Sequence, residues 1–529
     1  MKAKPLIRTQ PSGKRQSIYC IVGSTYCIVA MGLVLLSGCT APRYAVPDVA
    51  APTAFKEAAA AAYAAAPADT WQPASPQDAQ LKGQWWEMFN EPELNALEEQ
   101  LNIDNQNIAQ FFQNFMAART QVREARSAYF PTVGVNPGYT RSGGGTSVNG
   151  AAGLPNTTGT VASTGGGNST DISLPFDVSW EPDLWGRVRN SVHEFQYAAQ
   201  VSAADLENER LTEQAALADF YFQLRGQDTL QELTNRTVVA DQQTLNLTRG
   251  LFDTGIDSPE DVAAAEATLA SAQAIAAGIA TNRAVFEHAI ATLIGKPASS
   301  FSLPVKTLTT PIPPIPVGVP SQLLQRRPDV AAAERTMAQA NALIGVDTAA
   351  YYPTLDLAAS GGWVSSALST LFTAPARFWS LGASATETIF DAGLRKATVA
   401  HDTATFSADV AAYKQTVLTA FQQVEDSIAT LRVTSQQIER QHTAVDAAQR
   451  FLNIATVRYK TGLDPYLNVM TAQVTLLSDQ QAEVTLRVNQ MTAAVQLIEA
   501  LGGGWDVTQL PAASTMTTQE AARRAAATP

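Results

Sequence analysis

Thr254-Gly255-Ile256-Asp257 returns as Thr461-Gly462-Leu463-Asp464, 207 positions later, and each copy closes a long helical pattern free of proline. At the same offset Leu217, Leu224, Val238, Leu245 and Phe252 are answered by Val424, Leu431, Val445, Leu452 and Tyr459. Helix-packing positions therefore recur together with the turn. Solenoid repeats have periods of roughly 20–50 residues, so this period marks a duplicated half-molecule instead. The expected halves are 85–303 and 321–504, joined by a Pro-rich linker over 304–320 that cannot be helical.

The helical patterns before the turns, about 187–252 and 395–459, would each be about 100 Å long at 1.5 Å per residue. In the second, Val410, Val417, Val424, Leu431, Ile438, Val445, Leu452 and Tyr459 keep a seven-residue spacing, the mark of a left-handed supercoiled seam. Beyond each turn the pattern reverses into shorter helices over 259–294 and 465–501, which end at glycines suited to a left-handed terminating conformation. A further helix is expected over about 92–128.

Ahead of each long helix the period drops to two. Val133, Val135 and Tyr139 alternate with polar or small residues, as do Ile172, Leu174, Phe176, Val178 and Trp180. The second half has the same arrangement over 354–363 and 379–386, and each hairpin begins at an aromatic-Pro-Thr step, Phe130-Pro131-Thr132 and Tyr352-Pro353-Thr354. Residues 142–170 are too rich in Gly, Ser, Thr and Asn to pack and read as a disordered hairpin loop. Strands of about nine to twelve residues suit either a soluble half-buried hairpin or a tilted crossing of a bilayer. If four such strands enter lipid, their open edges leave backbone groups unpaired at several kcal/mol each, so insertion requires oligomerisation.

The N-terminus is basic, then apolar from Ile28 to Leu36, and ends in Leu36-Ser37-Gly38-Cys39. Residues 1–38 read as a secretory signal, with an uncleaved anchor as the alternative, and no other run of eighteen apolar residues suggests a membrane helix. Cys20 and Cys27 would leave with the signal, so Cys39 would be the one cysteine of the mature chain and no internal disulfide is possible. Removing five cationic residues takes the formal charge from -12 to -17, which disfavours nucleic acid as a partner. Residues 39–84, rich in Ala and Pro, are expected to form an extended arm, and 505–529 a flexible tail.

Taken together, Leu36-Ser37-Gly38-Cys39, Asp183-Leu184-Trp185-Gly186-Arg187, Arg326-Arg327-Pro328-Asp329-Val330 leading to Ala350-Tyr351-Tyr352-Pro353, Tyr459-Lys460-Thr461-Gly462 and Ala500-Leu501-Gly502-Gly503-Gly504-Trp505 resemble the TolC-like outer membrane factor family, in its NodT-type lipoprotein branch. The resemblance covers 85–505. It implies an α+β membrane protein of two tandem repeats. A homotrimeric β-barrel, four strands per chain, would be continuous with a long periplasmic α-helical barrel. Twelve helices about 10 Å apart would leave a lumen of roughly 25 to 30 Å.

The resemblance also implies acylation of Cys39 with no other cofactor, localisation in the outer membrane, and two partners: a periplasmic adaptor and an inner-membrane pump of the resistance-nodulation-division type. For the periplasmic gate it implies an apolar constriction at Leu467 and, one turn on, an acidic position where this chain has Thr471. Asp253, Asp257 and Asp464 lie near the turns, where they would either supply the missing negative charge or serve as caps and exposed turn residues. The turns at Gly255, Asp257 and Gly462 are the expected adaptor contacts.

No enzyme chemistry is expected. His193, His288, His401 and His442 stand alone on helical patterns, the Gly-Gly-Gly runs lack the Lys-Ser/Thr of a phosphate loop, and Arg326-Arg327 read as a structural helix start beside Asp329. Trp180, Trp363 and Trp379 read as an interfacial aromatic girdle. The expected function is a passive exit duct for small amphiphiles or drugs; a polypeptide export duct and a non-transporting lipoprotein scaffold are the alternatives.

Overall fold

Pro175 decides the first feature of the sheet. In the computed structural model, which describes residues 44–47, 52, 55–57, 83–143, 168–315 and 325–512, the first hairpin has β1 (Thr132–Val135) and β2 (Gly138–Gly143) both paired antiparallel with β3 (Asn168–Trp180). The register runs unbroken through the gap, from Val135 opposite Phe176 to Gly138 opposite Ser173. Asn136 and Pro137 therefore face Pro175 and Leu174. Proline has no N–H to give, and the one bond across the gap, from the Asn136 N–H to the Pro175 carbonyl, is 3.4 Å long. The expectation of four strands is corrected accordingly: four strand positions are filled by five segments.

β4 (Thr354–Ser365) and β5 (Arg377–Thr386) form the second hairpin, and β4 pairs with β3, giving an antiparallel order β1/β2, β3, β4, β5. Gly362 permits the closest approach: a Cβ there would lie 2.1 Å from the Leu174 carbonyl oxygen. The backbone of this region, 124–192 and 341–404, forms one compact unit. Its alternation is inside out relative to a soluble sheet. Val133, Trp379 and Leu381 are 71%, 78% and 76% exposed, and Tyr139, Phe176 and Trp180 share their face.

The described residues of the second unit, which takes in 45–123, 193–340 and 405–529, are mainly helical. The single helix expected over 92–128 is two, α1 (Pro92–Asp104) and α2 (Gln106–Ser127). Asn105 breaks it with an extended backbone, and its side chain accepts the Ile108 N–H at 2.9 Å, a cap that competes with helix continuation. α3 (Arg187–Asp253) and α4 (Pro259–Leu293) are followed by α5 (Pro328–Ala349), then α6 (Leu394–Lys460) and α7 (Tyr466–Ala500). Both long helices have 67 residues and both return helices 35, and their first residues differ by the same 207 positions as the turn sequences. None of the eight heptad positions on α6 is exposed, and Val417 and Val424 are fully buried.

α4 is, by length and composition, apolar enough to cross a membrane, which the reading of apolar runs excludes. Its apolarity is mostly alanine, and packing assigns it to the bundle. Ala265 and Leu269 lie in one cluster with Leu245 and Tyr466, Ile290 lies in another with Phe222, and Arg283 pairs with Asp228 at 2.6 Å.

The largest core gathers Trp85, Trp86 and Phe89 with Leu94 and Leu101 of α1, Tyr221 and Phe222 of α3, and Ile290 of α4. Beside it, the buried Arg225 donates to Asp228 (2.8 Å), Glu93 (2.5 Å) and the Pro304 carbonyl (2.7 Å). Asp228, fully buried, also accepts the Lys306 N–H at 3.1 Å. The linker residues 304–306 are thus docked by a paired charge cluster, the condition under which buried charge is tolerated.

Part of the expected arm is docked too. Phe55 is buried among Val424, Ile428, Leu497 and Leu501, and the Lys56 and Glu57 N–H groups donate to the Glu425 carboxylate at 2.7 and 2.9 Å. Cys39, the signal, the loop 144–167 and the tail beyond 512 lie outside the described residues.

Candidate functional site

Both long helices stop in the same way. Gly255 (φ +77°) and Gly462 (φ +71°) occupy the left-handed region. The N–H groups of Gly255 and Ile256 reach back to the Phe252 and Leu251 carbonyls, and those of Gly462 and Leu463 to Tyr459 and Arg458. This is the Schellman arrangement, and it needs glycine because a Cβ is unfavourable at positive φ. Ser258 then starts α4 with a capping box closed by Asp261, whereas α7 starts from Pro465 without a side-chain cap.

The chemistry at the two tips differs. Asp464 is held by Arg458 through two bonds, 2.6 and 3.1 Å, and hydrogen bonding from that guanidinium keeps its carboxyl below the usual range. Asp464 is therefore a paired carboxylate. The corresponding position to Arg458 in the first half is Leu251, and Asp257 instead accepts a short hydrogen bond from the Tyr459 hydroxyl. That hydroxyl also meets the buried Thr248 hydroxyl at 2.9 Å. Burial, then its bond to Asp257, pushes the Tyr459 phenol well up, so it stays protonated and able to donate.

Tyr459 thus ties the end of α6 to the first turn and to α3, above a cluster of Leu245, Ala265, Leu269, Ala455, Tyr466 and Val469. Sequence reasoning missed this latch because it read Tyr459 as a heptad position matched by Phe252 and as part of a family motif, not as a hydrogen-bond donor. The hydroxyl that distinguishes the two was the available signal.

Leu467 is 58% exposed, and the Thr471 hydroxyl is turned back onto the Leu467 carbonyl at 2.8 Å. With Val474, also exposed, they share one face of α7 at helical spacing. Asp253 is exposed. Deeper in the bundle the nearly inaccessible Asp241 is pushed up by burial to about 6.

Other candidates are occupied structurally. Arg327 donates to Asp329 (3.0 and 2.6 Å) and to the Ala500 carbonyl (2.9 Å). His401 lies 3.0 Å from Asp402, and His442 3.4 Å from Glu483. Among the described residues no three His, Cys, Asp or Glu side chains converge as a metal site. The Asp183-Leu184-Trp185-Gly186-Arg187 motif is a strand-to-helix joint. Asp183 accepts the Val188 and Arg189 N–H groups, and Trp185 stacks on Tyr352 at 5.1 Å while donating to the Pro353 carbonyl. Trp180 donates to the Tyr129 carbonyl at 3.0 Å, and Trp363 packs edge-on to Phe176 and Phe372.

The family model described as outer membrane efflux protein matches residues 97–296 and 319–503, both helical hairpins and both strand pairs included. The chain belongs to the outer membrane efflux protein family. Among curated relatives of this efflux protein is an antibiotic efflux pump outer membrane protein, ArpC of Pseudomonas putida, 30% identical over 482 residues, covering 90% of this chain and 95% of that one. A toluene efflux pump outer membrane protein, TtgC of Pseudomonas putida, is 30% identical over 483 residues with the same coverage. Among solved structures, the outer-membrane channel OprN superposes with a TM-score of 0.77 at 27% identity, over 88% of this chain and 99% of that chain. This efflux protein thus belongs to a family of outer-membrane transport components.

Proposed function

We propose that the chain assembles as a homotrimer and serves as the exit duct of a tripartite efflux system, passively conducting small amphiphilic compounds handed on by an inner-membrane resistance-nodulation-division pump through a periplasmic adaptor. The observation that carries this reading is the sheet: an apolar face exposed along its length and, among the described residues, unpaired strands at both edges. Only lipid on that face and further copies on those edges satisfy both. The antibiotic and toluene pumps among its relatives support small amphiphiles as cargo.

In this reading Cys39 carries the lipid anchor, the tips at Gly255, Asp257 and Gly462 receive the adaptor, and Leu467 forms the apolar constriction, with Thr471 one turn behind it. Asp464, already paired with Arg458, contributes little charge selectivity. Purified protein added to planar bilayers should give discrete single-channel steps. Absence of conductance from correctly folded protein would instead support a non-transporting scaffold.

A further inference from the structure

The edges of the sheet can be matched residue by residue from the chain's own internal repetition. Thr132 opposite Ser179 in the first hairpin corresponds to Thr354 opposite Thr386 in the second, so first strands are related by 222 positions and second strands by 207. The 207 obtained from strand register is the offset that separately relates α3 to α6. No parameter is left to adjust. The contact between β3 and β4, Phe176 opposite Gly361 and Ser173 opposite Val364, is therefore one repeat unit meeting the next inside a chain.

We infer that β5 meets β1/β2 of a neighbouring copy in the same way, which places Ala383 opposite Tyr139 of the partner subunit and Ser380 opposite Ser142 of the partner subunit. The inference rests on the trimeric reading and specifies its seam. The pairing is antiparallel, as closure requires, and keeps Tyr139 of the partner subunit on the face of Trp379 and Leu381, with one charged exception, Arg141 of the partner subunit opposite Leu381. Residue sizes agree: Trp379 faces Gly143 of the partner subunit, and Tyr139 of the partner subunit faces Ala383. Within one chain the same compensation sets Phe176 against Gly361.

The Asn136 N–H points to β3, so by alternation Pro137 points outward to the seam. A proline on an exposed edge there removes one ladder bond and discourages pairing in other registers. Following the four registers once around a copy advances the strand by eight residues. Three copies then stagger by about 80 Å along the strands against about 58 Å across them, giving a tilt of about 54° and a backbone diameter of about 31 Å.

Because bonds alternate, Ser380 and Ser142 of the partner subunit form a non-hydrogen-bonded pair, with Cα atoms about 4.5 Å apart and within disulfide range. The test is mild oxidation in outer membranes of the full-length double variant Ser380→Cys/Ser142→Cys. Its control is Ser380→Cys/Thr140→Cys, shifted by two residues, with each single variant accounting for Cys39. Non-reducing gels should show covalent trimer for the first pair at a yield on the order of tenfold above the second. Cross-linking favouring the shifted pair, or none from a particle that light scattering finds trimeric, overturns the register and leaves the trimer standing. A monodisperse folded monomer would overturn both.

Discussion

At the scale of single residues, the tips show how a hydroxyl and a guanidinium differentiate two turns built on the same glycine geometry. Tyr459→Phe keeps the ring in its cluster and removes the bonds to Asp257 and Thr248, a loss of about 1–3 kcal/mol. We predict a higher open probability in planar bilayers with the trimer intact; unchanged gating would show that the latch does not hold the closed state. Leu467→Ser should also raise open probability, because the exposed leucine has no packing role within the protomer and would act only by meeting its copies. If it conducts like the parent, the constriction lies elsewhere.

Asp241 supplies a pH dependence. Its carboxyl is raised from 3.8 to about 6 by burial, so the folded state holds its proton more tightly than the unfolded chain. Stability from this group is therefore full below about pH 4, declines as pH rises to about 6, and is lost above, an effect of about 2–3 kcal/mol. Melting temperature should fall between about pH 4 and pH 6, and Asp241→Asn should flatten that decline. An identical slope in the variant would place the titration elsewhere, Asp219, raised to about 7 by burial and Glu499, being the next group to examine.

At the scale of elements, the strands and helices follow their sequence periods, and the departures are local chemistry. Asn105 splits a helix by capping its second part, and Pro175 opens a strand without shifting its register. The contact between β3 and β4 depends on Gly362. Gly362→Val should destabilise the fold by about 2 kcal/mol or more, since the new Cβ meets the Leu174 carbonyl. Gly382→Ala, with nothing within 4 Å, should be tolerated. Equal melting temperatures for the two variants would mean that the strands separate without cost.

At the scale of the whole molecule, an inside-out sheet whose edges are unpaired among the described residues supports the proposed partners, lipid on one face and copies at both edges. A mature chain acylated at Cys39, detected by mass spectrometry, is the corresponding expectation for the anchor. The Cys39→Ser protein should lose the lipid while retaining single-channel conductance, because burial of the apolar face suffices for insertion. Loss of conductance together with the lipid would make the anchor part of assembly.

The sequence alone determined whatever depends on period and spacing: the 207-residue offset, the lengths of both helical pairs, the glycine turns, the alternating strands and the family resemblance. These are properties of neighbours along the chain, and 3.6- and 2-residue periods register directly in it. Only the tertiary structure decided which distant groups meet. The docking of the linker on Arg225 and Asp228, the seating of Phe55 among α6 and α7, the pairing of β3 with β4, and the bond from Tyr459 to Asp257, 202 residues away, leave no periodic trace. Each is set by packing in three dimensions, where a single hydroxyl, proline or missing Cβ selects the partner.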